Sequence, residues 1–73
     1  MNKTKRILEH LQTGRSITNM AAMQLYGETR LGDVIYRLRK QGYQIDTTMV
    51  EREDEEGKTV YGVYTLSKTQ NDN

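Results

Sequence analysis

At Gly42 the apolar pattern of this 73-residue chain changes its period. Before that point apolar residues recur at helical spacing, and after it strand formers alternate. A chain written this way must fold into two different kinds of layer. The stretch from Thr29 to Gln41 predicts a helix, capped by Thr29 and stopped by Gly42. At 100° per residue, Leu31, Val34, Ile35 and Leu38 fall within an arc of about 100°. Beyond Gly42, residues 43–53 (YQIDTTMVERE) and 58–66 (KTVYGVYTL) are rich in strand formers. The DEEG between them supplies Gly57, which can take the positive φ of a hairpin loop. Alternation places Ile45, Tyr64 and Leu66 on the buried side.

Upstream, residues 4–13 (TKRILEHLQT) predict a first helix. Thr4 is its expected cap, Ile7, Leu8 and Leu11 form its apolar stripe, and Gly14 ends it. Then comes SIT, with Thr18 as N-cap of a second helix, NMAAMQLY, closed by Gly27. On that helix Met20, Met23 and Tyr26 are the expected core filler, and the small Ala22 lets a neighbouring helix approach. The order is helix, helix, short turn, helix, hairpin. A lone hairpin is marginal in water, so it must lie against the helices. The expected fold is therefore α+β, a winged helix-turn-helix over residues 1–66. The last seven residues, SKTQNDN, are expected to be a disordered polar tail over 67–73. A chain this short buries only about 60% of its unfolded surface, which leaves little room for an enclosed active site.

The formal charge of +1 conceals a division. Residues 1–44 hold eight Lys or Arg against three acids, and residues 45–73 hold three against seven. The first part is net +5 and the second net −4, which suggests one face for a polyanion and another kept from it. The outward arc of the third helix carries Thr29, Gly32, Asp33, Tyr36 and Lys40, with Arg37 and Arg39 at its edges and Arg30 at its start. An α-helix fits the major groove of B-DNA, where arginine pairs with guanine edges while lysine and tyrosine hold phosphate. Arg39 and Lys40 also suit the last turn of any helix, where cations meet the negative end of the dipole. Asp33 is expected to pair with Arg37 four residues on.

The elements SIT, RL..VIYRLRKQGYQI and GKTVYGVYTL resemble the small helix-turn-helix domains common in phage and prophage proteins. The resemblance spans roughly residues 4–66 and is strongest at Ser16–Thr18 and Arg30–Ile45. It implies double-stranded DNA binding with the third helix as recognition helix. By position, Thr29, Arg30, Tyr36, Arg37, Arg39 and Lys40 would make the contacts. Ser16, Thr18 and Lys58 would be additional phosphate contacts. A repressor, an activator or an excisionase-like architectural factor fits, acting as a homodimer or a cooperative array on repeated half-sites. One feature departs from the pattern. The hairpin tip EREDEEGK is strongly acidic where a wing that touches phosphate should be basic. The alternative reading is a protein-binding adaptor or inhibitor that meets a basic partner through Glu53, Asp54, Glu55 and Glu56.

Other chemistries lack their residues. There is no cysteine, so disulfides and thiolate metal sites are excluded. One histidine, His10, and carboxylates without EF-hand spacing predict no metal, and His10 is expected on the surface. Ser16 and Thr18 have no histidine at a sensible position, so no catalytic residues are expected, and no cofactor. No apolar run is long enough to span a membrane, and the start shows no signal-peptide core, so the expected location is the cytosol.

Overall fold

The computed structural model describes residues 2–67. Its elements are α1 (Lys3–Gln12), α2 (Asn19–Tyr26), α3 (Leu31–Lys40), β1 (Ile45–Asp54) and β2 (Gly57–Leu66). These are the three helices and antiparallel hairpin expected of a winged helix-turn-helix.

The caps show where local chemistry sets the boundaries. α1 begins one residue earlier than its sequence suggests. Asn2, in extended backbone, is its N-cap and accepts the Thr4 N–H at 2.8 Å. Thr4 is thus inside the helix, not its cap. Thr18 does cap α2, accepting the Ala21 N–H at 3.1 Å. Gly27 closes that helix with φ +70°, a left-handed conformation that glycine adopts without a Cβ penalty. Thr29 does not cap α3. Arg30 holds the N-cap position without a side-chain cap bond, and its N–H is taken by the Glu28 carboxylate at 2.8 Å. The acid two residues upstream does the satisfying, because it can reach back over a short turn.

The core joins all the elements. Ile7 and Leu11 of α1, Ile17 of the link, Ala22 of α2, Leu31, Val34, Ile35 and Leu38 of α3, and Ile45 of β1 are buried together. Leu8, Tyr26, Tyr43, Tyr64 and Leu66 pack at its margin. The expectation for α2 is corrected. Met20 and Met23 are 66% and 53% exposed, and the helix meets the core through Ala22, with Ala21 and Tyr26 beside it. At 100° per residue, Met20 and Met23 stand about 160° and about 100° round the helix from Ala22, so the covered face is not theirs.

The hairpin is anchored at one end only. Its register runs from Ile45 opposite Leu66 to Asp54 opposite Gly57. At the base, Ile17 and Tyr64 exchange both backbone hydrogen bonds at 2.9 Å, so β2 is gripped on its second edge by the α1–α2 link. Past Ile45, no β1 residue is buried. Ten residues of strand reach about 33 Å, and the molecule is correspondingly long, 46 × 29 × 20 Å. At the tip, no non-glycine residue has positive φ. The turn is therefore not of the primed two-residue kind. Gly57 takes φ +129° instead, and Asp54 Oδ1 accepts the Glu56 N–H at 2.9 Å. Ser67, expected to open the frayed tail, donates its N–H to Gln44 O at 2.8 Å. The rest of that expected tail, 68–73, lies outside the described residues.

Candidate nucleic-acid interface

α3 divides its residues cleanly. Leu31, Val34, Ile35 and Leu38 are buried, and every other residue of the helix is exposed. The expected contact residues Tyr36, Arg37 and Lys40 are thereby displayed on one surface, with Thr29 and Arg30 at its start. The helix supplies this division because one arc fills the core and the remainder has nothing to pack on.

Within that surface the side chains differ in what already holds them. Arg30 pairs with Asp33 at 3.8 Å, three residues on, with side chains 80% and 60% exposed. The expected Asp33–Arg37 pair does not form, because Asp33 turns towards the start of the helix. Arg37 is left without an ion pair among the described residues. The Lys40 ammonium lies 5.5 Å from the centroid of the Tyr36 ring, a cation–π contact that stiffens two exposed side chains together.

Arg39 stands apart. Its Nε and Nη2 donate to Ile45 O at 3.1 and 2.6 Å, and Nη2 also reaches Thr47 Oγ1 at 3.0 Å. Two of its three nitrogens are thus engaged in tying the end of α3 to the base of β1. The sequence shows a cation in a last helical turn and gives no sign of this. The acceptors belong to a strand whose placement is tertiary.

The remaining candidates are dispersed. Thr18 spends its hydroxyl on the α2 cap. Ser16 is exposed, and its carbonyl accepts from His10. Lys58 pairs across the wing with Glu51 at 3.8 Å. Glu53, Asp54, Glu55 and Glu56 are all exposed at the far end of the hairpin.

His10 is not the plain surface histidine its sequence suggests. Its Nε2 lies 2.9 Å from Ser16 O, and its Nδ1 lies 2.8 Å from the Tyr26 hydroxyl. A carbonyl can only accept, so Nε2 carries a proton, and in the neutral ring Nδ1 accepts from Tyr26. The two rings meet edge to face, 5.8 Å apart at 89°. This clasp, with Lys3 Nζ donating to Gly27 O at 3.0 Å, joins α1 to the C-terminal end of α2 and to the link that precedes it. No group of His, Asp or Glu among the described residues is arranged to hold a metal ion. No described helix is long and apolar enough to cross a membrane.

The fold agrees with what comparison with known families finds. The profile of a winged helix-turn-helix domain matches residues 2–69. The chain belongs to this family. The match covers nearly its whole length, including the wing. The winged helix-turn-helix is a DNA-binding fold. No curated protein and no solved structure matches the chain.

Proposed function

We propose that the protein is a non-enzymatic binder of double-stranded DNA, a small regulator of phage or prophage type or an excisionase-like architectural factor, with α3 in the major groove. The observation that carries this reading is the exposed surface of α3, where Arg37 is unpaired among the described residues and Tyr36 and Lys40 brace one another. Arg37 is the base-reading candidate, since a free guanidinium offers two parallel donors to guanine. Arg30, already shared with Asp33, and the Tyr36–Lys40 pair hold phosphate. Thr29, at the start of α3, adds a further phosphate contact. Arg39 contributes by fixing the angle between α3 and the wing, through its bonds to Ile45 O and Thr47 Oγ1. DNA as partner goes with a cytosolic location.

The test is binding to a labelled mixed-sequence duplex across a salt series. Affinity that falls steeply and linearly with log salt is expected, because cations that meet phosphate release counterions. Arg37→Ala should then weaken binding to a preferred site by about 1–3 kcal/mol and relax its sequence preference. If Arg30→Ala and Arg37→Ala both leave affinity unchanged, α3 is not the contact surface.

A further inference from the structure

A cleft of 630 Å³ lies between α1 and α2. Arg6, Glu9 and His10 of α1, Arg15 of the link, and Leu25 and Tyr26 of α2 line it. Neither α3 nor the wing contributes to it. His10 and Tyr26 form a fixed wall, since each is bound to the other at 2.8 Å. Leu25 is 59% exposed, unusual for a leucine on a packed helix, and adds an uncovered apolar edge. Arg6 and Arg15 are exposed, and neither is in an ion pair among the described residues. Two guanidiniums against the single carboxylate of Glu9 leave the cleft net positive.

The wing presents the complement. Glu53, Asp54, Glu55 and Glu56 stand together at its end, exposed and in no ion pair among the described residues. The tip cannot reach its own molecule's cleft. Pairing is continuous from the Ile45–Leu66 pair to the Asp54–Gly57 pair, and a ladder without a break has no joint at which to fold back. A receptor for this tip must lie on another molecule, and a second copy carries one.

We propose that the acidic wing tip of one copy docks in the Arg6–Arg15 cleft of the next. Such a contact joins two different surfaces, so each copy can give its tip to one neighbour and its cleft to another, and the contact can repeat along a row. Each member keeps α3 uncovered, because neither surface includes it. Exposed ion pairs contribute only about 0–1 kcal/mol each, so the contact is weak in free solution. Its use as cooperativity between neighbours held side by side on a duplex rests on the DNA-binding reading, where local concentration multiplies a weak contact. The contact itself does not depend on DNA.

The experiment is sedimentation of the full chain without DNA, at low salt, over a range of concentrations. Two variants are compared with the native chain: Glu53→Lys, Glu55→Lys and Glu56→Lys together in the wing, and Arg6→Glu with Arg15→Glu in the cleft. The native chain should show a mass that rises with concentration and falls with added salt. Each variant alone should associate about tenfold or more weakly, because like charges then meet. An equimolar mixture of the two should associate again, since each supplies the charge the other has reversed. Circular dichroism checks the fold, and if a reversed variant does not fold, Gln replacements at the same positions take over the single-variant comparison. A native chain that stays monomeric at low salt overturns the proposal, as does a mixture that fails to associate. Association that survives in either variant alone overturns it too. A chain that associates but shows no salt-dependent binding to duplex leaves the docking standing and removes the proposed function.

Discussion

Arg37 and Arg30 stand seven residues apart, two turns of one helix, and the structure gives them different partners. Asp33 draws Arg30 to 3.8 Å and leaves Arg37 unpaired among the described residues. Arg37→Ala should therefore cost more DNA affinity than Arg30→Ala, measured on the same duplex at one salt concentration. Asp33→Asn should raise affinity for any duplex, because it removes a negative charge from the surface proposed to face phosphate and releases Arg30. The gain should shrink as salt screens it. The His10–Tyr26 clasp is a second residue-scale feature. Tyr26→Phe keeps the ring and removes the hydroxyl that His10 Nδ1 accepts from. It should lower stability by about 1 kcal/mol in urea unfolding without changing the fold. Thr18 was legible in the sequence as a cap because capping needs only neighbours along the chain. The roles of His10 and Arg39 were not legible, because their partners, Tyr26 and Ile45, come from elements whose placement depends on packing.

At the scale of elements, the helices and the wing answer to different rules. α3 has four buried residues in an arc, and its pattern alone specifies which face is covered. α2 departs from its apolar pattern for a physical reason. Large apolar residues are the usual core formers, but here the contact is made by Ala22, and Met20 and Met23 lie on arcs turned away from it. Gly32, near the start of α3, has nothing within 4 Å of where a Cβ would stand. Gly32→Ala should therefore stabilise the helix by up to about 1 kcal/mol, seen as a raised thermal midpoint. The wing has the opposite character. Only its base is held, by the core and by the Ile17–Tyr64 bridge, with Arg39 as a brace. Arg39→Ala should increase amide exchange at Ile45–Thr47 while leaving the α1 amides protected. Arg39→Lys should not restore protection, because one ammonium cannot span both acceptors.

At the scale of the molecule, nine buried side chains among the described residues form the core, and α3 provides four of them. The helix proposed to read DNA is thus also the central structural element. Leu38→Ala should cost about 2–5 kcal/mol, and a domain this small has little more stability than that to lose. Loss of the folded state is expected, and circular dichroism would show it. DNA binding would fail with it, so core variants of α3 say nothing about contacts. The charge division maps onto two ends of the shape: α3 carries its cations on the body, and the acids lie at the far end of the wing.

The sequence by itself determined the order of elements, the buried arc of α3, the Thr18 cap and the glycine boundaries. Each of these rests on contacts between residues close along the chain or on a period that one strand or helix shows alone. The tertiary structure decided which side of α2 is covered, where Ile17 pairs, what holds Arg39 and His10, and which arginine of α3 is left unpaired. Those outcomes depend on how closely separate elements approach, and no local pattern carries that distance.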